Sequence, residues 1–256
     1  MLGLLLSGLL SVGNAQDPAN GWLGYALGVN PDGGDDPITF IEATWVNLKE
    51  PTNKNCFYSP WFGIETSDNL NLVQPVNPWT GNQWEIYNEY FQWKPTHNEN
   101  SRSHVVYPGD VIYGSVTFDQ TKQEYNMYHA DMTSGHEWSV NTTIPVQQEG
   151  TKYKSYTMTY FVFEKVCSRC NEYPPDNAVT FTNITVEWGG TKKSPKWTTA
   201  YVDNVCDNRA KVVDEETIEI TWNSQSQDHP GDKYKHGSPG HLTPPSKTTS
   251  ETIIHE

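Results

Sequence analysis

The sequence predicts an all-β protein, a jelly-roll-like (concanavalin-like) sandwich of two antiparallel sheets. Three observations predict it: at least nine short segments rich in β-branched and aromatic residues, turn residues between them, and no amphipathic helical stretch of convincing length. The composition agrees, because 10 Trp, 14 Tyr and 8 Phe in a chain that is 35% hydrophobic are typical of extracellular β-sandwiches. So many short strands in about 200 residues indicate one domain.

The first fifteen residues resemble a secretory leader. Residues 2–12 form a short apolar core, and residues 13–15 supply small side chains at the cleavage positions; the alternative is a buried N-terminal strand or helix. No other stretch approaches the roughly 18 apolar residues that a membrane span needs. We therefore expect residues 1–15 to be removed and the rest of the chain to be secreted, extracellular and without a membrane partner.

The predicted strands follow one another through residues 16–223, which we assign to the sandwich domain. Asn30-Pro31-Asp32-Gly33-Gly34 and Tyr107-Pro108-Gly109-Asp110 have the residues that turns require. The clearest strands are 38–45, 59–64, 84–93, 110–118, 124–132, 138–144, 157–165, 178–188 and 217–222.

The last 33 residues, 224–256, differ in composition from the rest of the chain. They are rich in Pro, Gly, Ser, Thr, Lys and His, and such a segment cannot bury enough apolar surface to fold, so we predict a disordered tail. His229, His236 and His241 offer a possible metal site, but their wide spacing in an unfolded segment argues against it. We expect no metal and no cofactor.

The charge of the chain limits its partners. Lys and Arg number 17 and Asp and Glu number 31, so the net charge is -14. Nothing in such a chain would neutralise phosphates, which argues against nucleic acid as a partner. Protonation of the carboxylates would remove much of the self-repulsion, so a low working pH is consistent with this surface. We expect a monomer.

Two glycosylation sequons agree with export. They are Asn141-Thr142-Thr143 and Asn183-Ile184-Thr185. We therefore predict glycans on Asn141 and Asn183.

Four cysteines, Cys56, Cys167, Cys170 and Cys206, allow three disulfide pairings. In an exported chain disulfides are the default, and we favour a local link between Cys167 and Cys170, with Cys56 joined to Cys206. The alternatives are that residues 167–170 form a redox motif or half of a zinc site. Both lack support, because there is no thioredoxin-like βαβ pattern and no second CxxC.

The predicted strand at 157–165 (TMTYFVFEK) places a carboxylate among apolar residues. Alternation puts Tyr160, Val162 and Glu164 on one face of the sheet. Partial burial there would raise the pKa of Glu164 and keep it protonated further towards neutrality. The alternative is a solvated acid at the end of an edge strand.

Several familiar hydrolase motifs are missing from the sequence. There is no GxSxG elbow, and residues 136–140 (HEWSV) lack the second histidine of HExxH. Asp-Thr-Gly and Asp-Ser-Gly are absent too, which disfavours a paired-aspartate protease. Glutamate, glutamine and aromatic side chains remain as the candidate chemistry.

A series of motifs between Asn20 and Trp222 resembles one known family in the same order along the chain. These motifs are residues 20–25 (NGWLGY), 40–46 (FIEATWV), 59–65 (SPWFGIE), 72–74 (LVQ), 91–95 (FQWKP) and 160–164 (YFVFE). They are similar to the motifs of the eqolisins, or glutamic peptidases (peptidase family G1), which are secreted acid proteases built as a two-sheet β-sandwich with a catalytic glutamate and glutamine.

This resemblance implies a secreted acid endopeptidase that acts on polypeptides. It makes Glu164 the catalytic glutamate and Gln74 the catalytic glutamine. It places Trp61 and Glu65 at the border of the cleft. The remaining candidate substrate-binding residues are aromatic: Tyr87, Tyr90, Trp93 and Tyr160.

The sequence departs from the family pattern beside both candidate catalytic residues. Pro75-Val76 stands where the family has Thr-Gly, and Lys165 stands where it has aspartate. Glu65 replaces an aspartate and Gln92 replaces a glutamate. The loss of Thr-Gly is the departure that we expect to weaken turnover most.

Two other functions fit parts of the sequence. Residues 85–89 (EIYNE) suggest a jelly-roll glycoside hydrolase. On a regular strand, however, Glu85 and Glu89 would lie about 13 Å apart, beyond the roughly 5–9.5 Å that glycoside hydrolysis uses, so only a bulge would bring them together. A catalytically inactive, lectin-like or peptide-binding sandwich is the other alternative.

Overall fold

The computed structural model of the protein describes residues 21–52, 56–167, 169–202, 205–226 and 251–252. These residues form β-strands, apart from loops and a short 3-10 turn at Cys170–Glu172. In chain order the strands are β1 (Trp22–Val29), β2 (Ile38–Val46), β3 (Phe57–Thr66), β4 (Asn71–Val76), β5 (Trp84–Trp93), β6 (Thr96–Asn100), β7 (His104–Val106), β8 (Val111–Asp119), β9 (Glu124–Asp131), β10 (Trp138–Pro145), β11 (Gln148–Glu149), β12 (Lys152–Tyr153), β13 (Tyr156–Val166), β14 (Ala178–Trp188), β15 (Thr191–Lys192), β16 (Lys196–Tyr201), β17 (Arg209–Asp214), β18 (Thr217–Thr221) and β19 (Glu251–Thr252).

The strands form two large antiparallel sheets and a small hairpin. The nine-stranded sheet runs in the order β19-β16-β1-β13-β3-β4-β5-β6, with β7 also paired to β5. The eight-stranded sheet runs β10-β9-β8-β2-β14-β18-β17, with β15 beside β14, and β11 pairs with β12. The two large sheets are packed as a sandwich. The predicted fold class is therefore confirmed.

Aromatic side chains from both sheets meet in the core between them. Phe62 of β3 and Phe161 of β13 come from the nine-stranded sheet, and Trp45 of β2 and Phe181 of β14 from the other. The ring centroids of Phe161 and Phe181 are 5.2 Å apart, and those of Trp45 and Phe62 are 6.0 Å apart. All four are buried. Burial of one such side chain contributes roughly 1.5–3 kcal/mol to the free energy of folding, so this cluster stabilises the packing of the two sheets.

Glycine allows the two sheets to approach closely at one point of this core. A Cβ atom on Gly114 of β8 would lie 2.8 Å from the ring of Phe62. That distance is shorter than a normal van der Waals contact, so a larger residue at position 114 would push the sheets apart or displace the ring.

The disulfides join Cys56 to Cys167 and Cys170 to Cys206, with Cα separations of 5.1 and 5.3 Å. The predicted links Cys167–Cys170 and Cys56–Cys206 are therefore both wrong. Cys56 directly precedes β3 and Cys167 directly follows β13, and these strands pair antiparallel, so the two residues are neighbours across the sheet. Cys170 instead lies in the 3-10 turn, from which it reaches Cys206.

The two ends of the chain lie mostly outside the described residues. The predicted leader, residues 1–15, falls there entirely, and so do residues 227–250 and 253–256 of the predicted tail. Within the tail, Ser224 is buried and its N–H donates to Asn177, and β19 pairs with β16. Among the described residues there is no helix long and apolar enough to cross a membrane.

Candidate active site

The outward face of the nine-stranded sheet carries its own buried cluster, separate from the core between the sheets. We call it the aromatic face. Because side chains alternate along a strand, β1, β3, β4, β5 and β13 contribute residues both to the core and to this second face. The members of the aromatic face are Trp22, Trp61, Leu72, Val76, Tyr87, Phe91, Tyr160 and Val162.

Glu164 lies at one end of the aromatic face, on β13 between β1 and β3. Its Cα is paired with Trp22 on one side and Ser59 on the other. The indole Nε1 of Trp61 donates a hydrogen bond of 3.1 Å to Glu164 Oε2. The predicted face of this strand is thus confirmed, since Tyr160 and Val162 lie beside Glu164 on the aromatic face.

Gly21 leaves space next to the Glu164 side chain. Its φ of +112° is a conformation that residues with a Cβ rarely adopt. A Cβ at this position would lie 2.9 Å from the carbonyl oxygen of Lys165 and 3.8 Å from Glu164 Oε1. Glycine therefore permits the close approach of the chain to the carboxylate.

Burial raises the pKa of Glu164 to about 7. The hydrogen bond from Trp61 lowers this pKa, whereas the negative charge of Glu89 raises it further. Desolvation is the largest of these effects, so the carboxyl group is held partly protonated at neutral pH. Such a group can both accept and donate a proton near neutrality.

Gln74 lies on β4, two strands from Glu164 in the same sheet. Its neighbour across the pair β4–β5 is Glu89, and Gln74 Nε2 donates a hydrogen bond of 2.7 Å to Glu89 Oε2. The amide oxygen of Gln74 is buried and has no hydrogen-bond partner. A Cβ on Gly63 would lie 2.9 Å from Gln74 Cβ, so the glycine on β3 makes room for the glutamine.

Glu89 is the site residue whose role the sequence did not predict. It is 8% exposed, and besides the bond from Gln74 it accepts a hydrogen bond from Asn98 Nδ2 on its other oxygen. Burial raises the pKa of Glu89, and these two hydrogen bonds lower it. The sequence signal that could have indicated it is an acid within the aromatic strand β5, on the strand that pairs with the one carrying Gln74.

Tyr87 lies between the two acids. Burial raises the pKa of its phenol well above the ordinary value, and the charges of Glu89 and Glu164 raise it further. Trp22 stacks edge-on against both Trp61 and Tyr160, with ring centroids 5.0 and 5.1 Å apart. These aromatic rings belong to the same face as Glu164, and Trp61 contacts its carboxyl group directly.

The other predicted substrate-binding residues occupy different positions. Trp93 packs edge-on against Phe91 at 4.6 Å, beside the aromatic face. Glu65 is fully buried, and its Oε2 accepts a hydrogen bond of 2.7 Å from Asn69. The placement of Tyr90 in the cleft is wrong, because it lies in the core between the sheets, where its hydroxyl donates to Gln92 Oε1. Tyr87 and Tyr90 are three residues apart on one strand, so they point to opposite faces.

Gln74 and Glu164 lie on the same face of the sheet but bond to different partners: Gln74 Nε2 donates to Glu89, and Glu164 Oε2 accepts from Trp61. Glu89 interacts with both residues: it accepts a hydrogen bond from Gln74, and its negative charge raises the pKa of Glu164. Lys165, by contrast, is buried and places its Nζ 3.4 Å from the carbonyl oxygen of Cys167.

The arrangement of β5 argues against glycoside hydrolysis. The strand pairs with β4, β6 and β7 without a register shift, so the bulge that would bring Glu85 and Glu89 together is missing from this described strand. Glu85 instead accepts a hydrogen bond of 2.6 Å from Gln83.

The predicted glycosylation sites are accessible. Asn141 on β10 and Asn183 on β14 are both exposed, and both strands belong to the eight-stranded sheet. The glycans themselves stay a prediction.

Comparison with solved structures identifies the fold. The chain is similar to scytalido-glutamic peptidase in two complexes, one with a transition state analog inhibitor and one with a peptide-based transition state analog. The TM-scores are 0.57 and 0.58. In both cases the identity is 16%, and the match covers 79% of this chain and 98% of the peptidase chain. It is also similar to SCP-B, a member of the eqolisin family of peptidases, in a complex with the tripeptide Ala-Ile-His, at 17% identity, the same coverage and a TM-score of 0.55. No family model and no curated protein match the sequence. The chain therefore has the fold of the glutamic peptidases.

Proposed function

We propose that the protein is a secreted acid endopeptidase in which Glu164 acts as general acid and base and Gln74 stabilises the oxyanion. The observation that carries the proposal is the Glu164 carboxyl, desolvated to a pKa of about 7 on the same face as an amide side chain. Its place in a fold shared with glutamic peptidases supports it. The two disulfides support secretion, because such bonds persist mainly outside the cytosol.

The reaction would proceed in two proton transfers. Ionised Glu164 accepts a proton from water while the water oxygen attacks the carbonyl carbon of the scissile peptide bond. The carbonyl oxygen then carries a negative charge. When the carbon–nitrogen bond breaks, Glu164 returns the proton to the leaving amine and is again ionised. No metal or cofactor takes part in these steps.

Gln74 would act through its amide N–H groups. An amide has two N–H donors, and in this structure one of them is used by Glu89. The other is available for the developing oxyanion, whose stabilisation is often the largest single contribution to catalysis. Glu89, held on its other oxygen by Asn98, would fix the orientation of the amide, so we assign it a positioning role.

The substrate would lie across the aromatic face. Tyr160 and Tyr87 belong to this face, and Trp93 packs against it beside Phe91. An extended polypeptide can contact such a surface with alternate side chains.

One observation favours a second candidate, a peptide-binding sandwich without turnover. Gln74 Nε2 is bonded to Glu89, and the residue after Gln74 is Pro75, which cannot donate a backbone N–H to a substrate. The experiment below separates the two functions, because a binder would retain peptide without cleaving it.

The test is hydrolysis of denatured globin or casein between about pH 2 and 9, with pepstatin present. We expect cleavage by the unaltered protein and none by Glu164→Gln, which removes the proton acceptor and keeps the shape of the side chain. The matched control is Glu42→Gln, since Glu42 is also partly buried and accepts one hydrogen bond, from Tyr113, on the other sheet. Full activity in folded Glu164→Gln protein would refute the proposal.

A further inference from the structure

Three metal-ligating side chains converge away from the aromatic face. Asp110 precedes β8, Asp131 ends β9, and His136 lies in the turn between β9 and β10. One ligand atom from each lies within 4.8 Å of the others. The pairing of β8 with β9 sets Asp131 opposite Ile112, two residues after Asp110, so the register of the sheet brings the two carboxyl groups together.

The strongest sign of a ligand is one oxygen of Asp131. The residue is 2% exposed, and its Oδ1 accepts a hydrogen bond of 2.9 Å from the Thr133 N–H. Its Oδ2 is buried and has no hydrogen-bond partner. The Asp110 carboxyl is close enough to the Asp131 carboxyl to interact with it directly. Two ionised carboxylates have only acceptor oxygens, so they can bond to each other only through a shared proton or a cation.

The surroundings hold Asp110 and His136 in place. Asp110 is also 2% exposed; its Oδ2 accepts from the Tyr107 N–H at 2.7 Å, and its Oδ1 lies 2.9 Å from His136 Nδ1. His136 is exposed, so solvent and ions reach the cluster from that side. A bound ion would replace the hydrogen bond between His136 and Asp110.

Burial and mutual contact shift the pKa values of the three ligands in different directions. Burial raises the pKa of Asp131, and the charge of Asp110 adds to the shift. Burial also raises the pKa of Asp110, but hydrogen bonds from Tyr107 and His136 oppose it, and the net effect is a lowered pKa. The hydrogen bond to Asp110 raises the pKa of His136. His104 on β7 and Glu137 also act on the cluster, and burial lowers the pKa of His104, so it adds little positive charge at neutral pH.

We propose that Asp110, Asp131 and His136 bind one first-row divalent cation, of which Zn²⁺ is the type, with water completing its coordination. The imidazole nitrogen selects this class over Ca²⁺ and Mg²⁺, which take oxygen ligands. Three protein ligands with an exposed fourth side match an open zinc-type site. The ion would join the turn before β8 to both ends of the β9–β10 connection, and this role does not depend on the proposed peptidase activity.

Binding of the ion is coupled to protonation. The ligands must be two ionised carboxylates and a neutral imidazole nitrogen, so protons compete with the ion for all three side chains. His104 and Glu137 are the other charged or titratable groups near the cluster. We expect tight binding at pH 7.5 and loss of the ion by pH 4.5.

The test uses the full chain after treatment with a chelator and titrates it with ZnCl₂ in a calorimeter at pH 7.5. His229, His236 and His241 are replaced by Ala in every sample, so that any zinc taken up cannot be assigned to these tail histidines. We expect one ion per chain, a rise in melting temperature with Zn²⁺ but not with Ca²⁺ or Mg²⁺, and a visible absorption band with Co²⁺ that reports nitrogen coordination.

The variants Asp131→Asn and His136→Gln identify the ligands. Losing a residue that only hydrogen-bonds a metal ligand usually weakens metal binding by about 10–100-fold. Each of these variants removes a ligand itself, so each should weaken binding by more than that. Asp176→Asn and His97→Gln repeat these changes elsewhere on the molecule and should leave binding unchanged. If Asp131→Asn does not fold, His136→Gln decides, since His136 is exposed. Absence of saturable uptake, as expected for carboxyls that only share a proton, or equal uptake by His136→Gln protein, would overturn the proposal.

Discussion

At the scale of single residues, the site depends on where an acid falls in an apolar pattern. Glu164 follows Tyr160 and Val162 on one face of β13, so the alternation that builds the aromatic face also desolvates the carboxyl. The sequence was sufficient to predict a raised pKa, and the structure confirms it. It was not sufficient to predict Glu89, because the bond to Gln74 depends on the register of β4 with β5.

The first prediction concerns Gln74. Replacing it with Ala should lower kcat by about 10²–10³-fold, the usual cost of deleting one oxyanion donor. Glu89 would then lose one of its hydrogen bonds, so a fall in stability of about 1–3 kcal/mol should accompany the change. Steady-state kinetics and urea unfolding of the same preparations measure both effects. Asn69→Ala, which removes the amide bonded to Glu65 instead, is the control; a Gln74→Ala rate equal to that of the control would exclude an oxyanion role.

The second prediction concerns the pH dependence of hydrolysis. The sequence alone led us to expect a fall in rate above roughly pH 5, as the carboxyl that serves the leaving amine loses its proton. If Glu164 acts first as a base, however, it must be ionised when water attacks, and its pKa is about 7, so the limb of kcat/KM that rises with pH should have its midpoint near pH 7. Initial rates measured from pH 2 to 9 test this. A rate that falls through pH 7 would mean that the protonated form of Glu164 is the active one and that Glu164 does not act as the base.

At the scale of strands, the sequence predicted the elements in which alternation is strong. β5 and β14 have the predicted bounds of 84–93 and 178–188, because aromatic and β-branched residues recur throughout both. β4 was not among the clearest predicted strands: it has only six residues and contains Pro75, which lacks a backbone donor. Gln74 was therefore found through the resemblance to a family and not through its strand.

The disulfides show a different limit of sequence reasoning. Residues 167 and 170 are close in the chain, but β13 runs in extended form to Val166 and the chain then enters a 3-10 turn. The sheet brings Cys167 close to Cys56, and the 3-10 turn brings Cys170 close to Cys206. These pairings depend on tertiary structure, so the spacing of the cysteines in the sequence does not predict them.

The third prediction concerns these bonds. Replacing Cys170 and Cys206 with Ala should lower the free energy of unfolding by about 2–4 kcal/mol, and replacing Cys56 and Cys167 should lower it more. The reason is the larger sequence separation of the second pair, 111 residues against 36, which restricts the unfolded chain more. Urea unfolding of the two double variants under non-reducing conditions compares them. Equal losses would indicate that the restriction of the unfolded chain is not the dominant effect.

At the scale of the whole molecule, the sandwich includes more of the C-terminal region than composition suggested. Ser224 is buried, and its N–H donates to Asn177 Oδ1 at 2.7 Å, so the domain extends past the predicted end at residue 223. β19 contributes only two residues to the edge of the nine-stranded sheet.

The fourth prediction follows from this boundary. A chain that ends after Ser226 should keep the fold and activity and lose less than about 1 kcal/mol of stability, because, of the pairing between described residues, it gives up only the short one of β19 with β16. A chain that ends after Glu216 is the contrasting variant, since it lacks β18 with the fully buried Ile218 and Ile220 and should not fold. Circular dichroism and thermal melting distinguish them. Unfolding of the first variant would show that the tail is part of the domain.

The fifth prediction concerns the lower limit of pH that the whole fold tolerates. His129 is fully buried in the core between the sheets, with Nδ1 3.0 Å from the carbonyl oxygen of Tyr87 and Nε2 without a hydrogen-bond partner. Burial lowers the pKa of His129 from 6.5 to about 4, although the bond to Tyr87 opposes the shift. The unfolded chain keeps the ordinary value, so between pH 6.5 and 4 it binds more protons than the folded protein, and stability falls as the pH falls.

The size of this effect decides whether an acid protease can work on this fold. At 1.36 kcal/mol for each pKa unit, the loss between pH 6.5 and 4 is about 3 kcal/mol, which is a large part of the stability of a typical domain. We expect His129→Gln to be less stable at pH 7.5, because it disturbs the core, but to lose less stability on acidification. His97→Gln, at an exposed position, should follow the unaltered protein throughout. Urea unfolding from pH 3 to 8 measures the slopes, and parallel curves for all three proteins would show that His129 does not set the acid limit.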